Sequence, residues 1–387
     1  MFGKERGNRG AVTQRGNPVM RTWRALVIGP TPPPIGGDTI STQRLLASRY
    51  WKEFGIGPVH LNTSAGGPVR IGERLGLRDI LRGARILVHV FSRLSRIDVV
   101  LLWANSRFLC TIGVPIIAMG RLARRPVVVK IFGAFLAERL RTLRGPWRRV
   151  VIGALGNAAF VFPQTESMTD ELVQELGLPR ERVICLPNFL PDAALEGTHR
   201  GRRFGGKCIF IGQIKREKGV FDIMEALAGR RDFTCDLYGP VLDRDRAEFL
   251  EGIDGTPNIH YRGVAPPGDV QRIVGEYDLL LLPTYHIGEG YPAVILEAFA
   301  AGVPVVATGW KSIPDLVADG ERGIIVPVRS PGAIREALQR IGRDEALYES
   351  MSRNAFEYAR RYSERIVVRG ILLERVRGLL DGSGRRA

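Results

Sequence analysis

The chain offers no uninterrupted apolar run long enough to cross a membrane, no closely paired cysteines and only five histidines in 387 residues. Each shortage removes a class of protein. The most apolar stretch, from Val99 to Met119, is broken by Asn105, Ser106, Arg107 and Pro115, whereas a spanning helix needs about 20 mostly apolar residues. It reads as a buried strand, a turn and a helix. The four cysteines, Cys110, Cys185, Cys208 and Cys235, lack the close spacing of a zinc or redox site and read as buried free thiols in a reducing compartment. Residues 1–22 form a loose basic tail by composition, without the apolar run of about 7–15 residues that a secretory signal needs. Acidic residues are also scarce, 40 against 56 Lys and Arg, for a net charge of +16.

The basic excess is concentrated. Between residues 70 and 149, 17 Lys or Arg stand against Glu73, Asp79, Asp98 and Glu138. Arg74, Arg78, Arg82, Arg85, Arg93 and Arg96 recur near helical spacing, with Leu75, Ile80, Leu81, Ile86 and Leu87 between them. Such a basic amphipathic surface suits anionic lipid head groups or a polyanionic acceptor; a solvated helix face is the plainer alternative. Nucleic acid is disfavoured, because neither zinc-finger spacing nor an aromatic-rich RNA-binding sheet motif accompanies the charge.

What the sequence does have is punctuation: 46 Gly and 24 Pro between short apolar runs. Strands are expected at Ala25–Gly29, Asp98–Trp103, Pro126–Ile131, Ala158–Phe162 and Arg182–Leu186, alternating with helical patterns, one of which starts at Ser41–Ser48. This is the pattern of a parallel sheet covered by helices. A polar Gly/Arg-rich stretch at 193–206 precedes a second series, with strands at Cys208–Gly212, Thr234–Tyr238, Leu279–Leu282, Val303–Ala307 and Gly323–Val326. Helices are expected there at Phe221–Ala228, Asp269–Glu276 and Ala293–Ala301. The expected organisation is therefore α/β, with two Rossmann-like domains at 23–192 and 207–362 and a helical tail at 363–387. In that tail Ile366, Val367, Ile371, Leu372, Val376 and Leu379 keep a helical period that must bury against one domain.

The densest chemical signal runs from Leu282 to Thr308, where a strand end leads through a Gly/Pro loop into a helix. Glu289, Gly290, Tyr291 and Pro292 occupy the loop and Glu297 lies on the helix. Ligands of open α/β sheets bind outside the carboxyl ends of strands, and a helix N-terminus offers N–H groups to an anion. Glu297 lies eight residues beyond Glu289, about two helical turns away, so two carboxylates can accept hydroxyls at two depths. Tyr291 reads rather as packing, and His286 as a hydrogen-bonded scaffold residue. A second signal, Gly212-Gln213-Ile214-Lys215-Arg216-Glu217-Lys218-Gly219, places three cations at another strand end, where they can neutralise a leaving diphosphate. Gly36-Gly37, in a third strand-to-helix loop, permits close backbone approach.

Taken together, these residues resemble the retaining glycosyltransferases of family 4, with the GT-B fold of two Rossmann-like domains facing across a cleft. The likeness covers roughly Leu26 to Val328. It rests most heavily on Glu-Gly-Tyr-Pro-Ala-Val-Ile-Leu-Glu-Ala followed by Ala-Gly-Val-Pro-Val-Val-Ala-Thr, with support from Gly36-Gly37, Leu186-Pro187-Asn188 and Lys218-Gly219. The resemblance implies that Glu297 holds the ribose hydroxyls of a UDP- or GDP-sugar, Glu289 the transferred hexose and Lys218 the diphosphate. Gly36 and Gly37 would approach from the other domain. It also implies transfer with retention to a glycan or lipid-linked acceptor in envelope or exopolysaccharide synthesis, without a catalytic metal. The setting would be cytoplasmic, at the inner face of the cytoplasmic membrane. The last helix would return to the N-terminal domain. Two positions depart from the pattern: Gln213 stands where an Arg is common, with Lys215 or Arg216 as substitutes, and Phe132 where a His is common. A nucleotide-sugar epimerase or phosphorylase, or a non-catalytic nucleotide-sugar-binding protein, would fit the same scaffold.

Overall fold

The computed structural model describes residues 22–64, 77–133, 136–199 and 201–384. Two parallel sheets organise them. The first contains β1 (Trp23–Gly29), β2 (Ile56–Asn62), β3 (Val99–Asn105), β4 (Val127–Phe132) and β5 (Phe160–Phe162), in the order β2-β1-β3-β4-β5. The second contains β6 (Lys207–Ile211), β7 (Thr234–Tyr238), β8 (Ile259–Tyr261), β9 (Leu279–Leu282), β10 (Val305–Thr308) and β11 (Gly323–Val326), in the order β11-β10-β9-β6-β7-β8.

The inner strands are largely apolar on both faces because both faces are covered. In β1, Leu26 and Ile28 enter one core while Ala25 and Val27 enter the other. The second of these cores is completed from the far end of the chain: Val367, Val368, Leu372, Leu373, Val376 and Leu380 pack with Trp23, Leu45, Trp51 and Trp103. The tail phase differs from expectation at Ile366, which is 43% exposed. Residues Arg365–Leu373 form a π-helix, whose extra residue per turn shifts the inward face to Val367 and Val368.

The chain thus passes between the sheets twice, and the two passages are bonded together. Leu190 N–H donates to Tyr362 O at 2.9 Å, and Glu364 N–H donates to Leu190 O at 2.9 Å. Lys130, buried within β4, donates from Nζ to Leu186 O just ahead of the first passage. Burial pulls its ammonium down to about 7.

Three other expectations change. Arg182–Leu186 is not a strand; only Val183 bridges β5, because the chain is already turning out of the sheet towards the second one. Two strands lacked a sequence signal, β2 with its Gly57-Pro58 pair and the three-residue β8. Both are sheet edges, where Pro and short length are tolerated. After β3 there is no turn: Asn105 Oδ1 caps a helix directly, accepting from Phe108 N–H at 3.0 Å. A π-helical stretch, Leu109–Gly113, then precedes the Val114–Leu122 helix, where Pro115 has no N–H to give the carbonyl four residues back.

The four cysteines are free thiols. Cys208 and Cys235, distant in sequence, are register partners on β6 and β7. Among the described residues no helix is long and apolar enough to cross a membrane.

The Leu77–Arg93 helix carries Arg78, Arg82, Arg85 and Arg93 of the basic run; Arg96 falls in the short 3-10 turn that follows, and Arg74 lies outside the described residues. Gly83, Ile86 and Val90 form its buried face. Ile80, Leu81, Val88 and Phe91 are 59–72% exposed on a second face, and Arg78, Arg82, Arg85 and His89 occupy a third. Apolar and cationic stripes therefore run side by side on the outside of the first sheet.

Candidate functional site

Sheet order decides which loops meet. In the second sheet β6 lies beside β9, the point at which the order reverses, so the loops after these two strands flank one crevice at their carboxyl ends. Those loops are 212–219 and 283–292, the two segments with the strongest chemical signals.

Gly219 locks them together. Its φ is +76°, and a Cβ there would lie 2.2 Å from Pro283 O, so no other residue fits without moving the backbone. Tyr285 N–H donates to Glu217 O at 2.9 Å. This close seam brings Lys218 Nζ onto Glu289 Oε2, an ion pair to which Thr284 Oγ1 adds a hydrogen bond at 3.0 Å. Glu289 is 8% exposed. Burial pushes its carboxyl up, but the Lys218 ammonium and the two hydrogen bonds outweigh that and hold it below the usual carboxylate range.

The three cations of the 212–219 loop separate. Lys215 is buried, with Nζ 3.3 Å from His286 Nδ1 and 3.4 Å from Nε2. Arg216 turns outward to Glu248 and over the Phe221 ring, so of the two substitutes for the missing Arg only Lys215 faces inward. Burial and the neighbouring Lys218 draw Lys215 down to about 8, and burial with the same two lysines draws His286 down to about 4. At neutral pH His286 is therefore neutral and Lys215 mostly charged. With Arg216 paired to Glu248 and Glu217 to Arg244, the ammonium groups of Lys215 and Lys218 stand against the Glu289 carboxylate, a surplus suited to an anion.

A bound diphosphate would hold the proton on Lys215, so binding takes up a proton above pH 8 and weakens as pH rises through that value. The affinity of a diphosphate ligand, measured by titration calorimetry, is expected to fall by up to about tenfold per pH unit there. Lys215→Met should flatten the profile.

The remaining residues take varied positions. Gly212 directly follows β6, Gln213 is exposed, Gly290 is buried, and Pro292 is the N-cap of the Ala293–Ala300 helix. The Tyr291 ring is buried against Tyr362, with ring centroids 6.1 Å apart, so its side chain faces the core rather than the crevice. Its carbonyl accepts from Asn188 Nδ2 at 3.0 Å. Gly36 is the N-cap of the Gly37–Leu46 helix, with extended φ. A Cβ on Gly37 would meet nothing within 4 Å, so the chain itself leaves that space open. Phe132 is buried in the first-domain core, while the next residue, Gly133, gives its N–H to Gln164 Oε1 at 2.8 Å. Among the described residues no group of three or more His, Cys, Asp and Glu side chains is placed to hold a metal.

The two sheets meet across the crevice. Arg44, in the Gly37–Leu46 helix, reaches Glu297 Oε1 at 2.5 Å. Lys311 pairs with Glu138, and Ser167 Oγ donates to Asp315 Oδ2 at 2.7 Å. Burial raises the Glu297 carboxyl, opposed by Arg44. Arg44, Thr284 and the Asn188–Tyr291 link had no local signal in the sequence, because their partners are set by tertiary approach.

Crevice and sheets together define a two-domain α/β protein of GT-B fold. Residues 206–358 match the family described as glycosyl transferases group 1. Among solved structures, HepE of Anabaena in complex with UDP superposes with a TM-score of 0.68 over 90% of this chain and 98% of that one, at 15% identity. The chain is 28% identical over 213 residues to an exopolysaccharide phosphotransferase of Streptomyces coelicolor, spanning 53% of this chain and 22% of that protein. It is 29% identical over 234 residues to D-inositol 3-phosphate glycosyltransferase of Corynebacterium kroppenstedtii, spanning 54% of this chain and 51% of that protein. The chain therefore spans about a fifth of one of these curated relatives and about half of the other. The family resemblance read from the residues holds for the second domain.

Proposed function

We propose that the chain is a retaining glycosyltransferase that moves a hexose from a nucleoside-diphosphate sugar to a glycan or lipid-linked acceptor. The carrying observation is the ion pair of the half-buried Lys218 with the buried Glu289 at the strand-order reversal, beside Lys215. In this reading Lys218 and Lys215 neutralise the diphosphate as the bond between C1 and its oxygen breaks. The acceptor oxygen bonds C1 from the same face and passes its proton to the departing phosphate. Glu289 accepts from sugar hydroxyls and Glu297 from the ribose, the strong arrangement for an ionised acceptor. The complex of HepE with UDP and the matched family favour the nucleotide-sugar class.

A thermal-shift screen of UDP-, GDP- and ADP-sugars tests the donor: a true donor at 100 times its dissociation constant adds about 2.7 kcal/mol of stability. A nucleotide sugar that binds and turns over to its epimer without acceptor would replace transfer by epimerisation. Binding without turnover on any acceptor would leave a binding protein.

The membrane part of this reading draws on the Leu77–Arg93 helix. Its exposed Ile80, Leu81, Val88 and Phe91 beside Arg78, Arg82 and Arg85 match an anionic bilayer surface in both apolarity and charge. Vesicles containing anionic lipid should retain the protein at low salt and release it at high salt. Phe91→Glu with Val88→Glu should abolish retention; equal retention by the variant excludes this face.

A further inference from the structure

One helix of the first domain borders the crevice. Gly36 and Gly37 stand at its N-terminus and Arg44 seven residues further on, about 10 Å along the axis. At that far end Arg44 Nη2 meets Glu297 Oε1 at 2.5 Å, and the side chains are only 19% and 8% exposed. Arg44 belongs to the first domain and Glu297 to the second, so the pair exists only while the crevice is closed.

The ion pair leaves Glu297 with work still available to it. A carboxylate offers about four acceptor positions, and Arg44 uses one of them. Without a cation nearby, a carboxyl this deeply buried favours its protonated form, in which it accepts poorly from a diol. The guanidinium, permanently charged, opposes that loss. A neutral ribose could not, so exchange of Arg44 for ribose would strand a buried charge. Both groups are therefore kept on the carboxylate together.

We propose that Arg44 is the positioning residue that couples donor binding to closure: carried by the first domain, it completes the Glu297 carboxylate of the second, so the ribose site is finished only when the domains meet. This rests on the reading of Glu297 as the ribose acceptor.

The test compares wild type with Arg44→Gln, Arg44→Lys, Glu297→Gln and the exchanged pair Arg44→Glu with Glu297→Arg. Small-angle X-ray scattering reads closure without nucleotide. Calorimetry reads the affinity of whichever of UDP and GDP shifts the wild-type melting temperature more. Arg44→Gln is expected to widen the protein and weaken the nucleotide about tenfold, with Arg44→Lys recovering part of both. The exchanged pair should regain the closed dimension but not nucleotide affinity. Unchanged dimension or unchanged affinity in Arg44→Gln overturns the proposal. If Glu297→Gln opens the protein yet binds nucleotide as wild type does, the ribose reading has failed; if it loses affinity while Arg44→Gln does not, the failure is that of Arg44 alone.

Discussion

Replacing Glu289 with glutamine is expected to lower sugar transfer by about 10²–10³-fold while changing nucleotide affinity by less than about threefold. Glutamine keeps the shape and can still accept from Thr284, whose Oγ1 lies 3.0 Å from Glu289 Oε2. What it loses is the negative charge, and with it, on the proposed role of Glu289, the charge-assisted bonds to sugar hydroxyls whose polarity grows as the glycosidic carbon becomes electron-poor. The nucleotide half of the donor lies towards Glu297 in this reading and should register little. Steady-state kinetics alongside calorimetry with UDP separates the two effects. An equal fall in nucleotide affinity would move Glu289 from the sugar to the nucleotide.

Lys218→Met should cost about 3 kcal/mol of stability at neutral pH, because it leaves the Glu289 carboxylate buried without its counter-ion. The double variant Lys218→Met with Glu289→Gln is expected to recover most of that loss in chemical denaturation. The pH dependence carries the opposite signs in the two proteins. In wild type the Glu289 carboxyl is held below its ordinary 4.5, so its stabilisation is present above that value and is lost as pH falls through the folded-state pKa. Without Lys218, burial dominates and raises the carboxyl. Stability at this site then improves as pH falls through the raised value towards the ordinary 4.5. A double variant no more stable than Lys218→Met would show that the lysine acts through something other than this pair.

The sequence carried most of the architecture because a parallel sheet writes itself in unbroken apolar runs. Thr234–Tyr238, Leu279–Leu282 and Gly323–Val326 occupy their expected bounds. The failures have local causes. Gly57-Pro58 disguises an edge strand, and the apolar end of Arg182–Leu186 serves the exit from the sheet. The loops that meet at the strand-order reversal were legible from their Gly, Pro and charge. Their pairing was not: Lys218 and Glu289 are 71 residues apart, and Arg44 and Glu297 are 253 apart. Nothing in either neighbourhood announces which carboxylate a lysine or arginine will meet, since that depends on which strands become neighbours and how far the crevice closes.

The doubled passage between the sheets has a consequence for how the molecule can be divided. Because Val367 to Leu380 cover Trp23, Trp51 and Trp103, the first half of the gene does not encode a self-sufficient half of the protein. A fragment ending near residue 192 would display that aromatic face to water, and one beginning near 207 would trail an apolar helix with nothing to cover. Splitting the chain between them yields two sticky pieces whose natural resting place is each other, so complementation of co-expressed halves is a more promising route to a segmentally labelled protein than isolating either one.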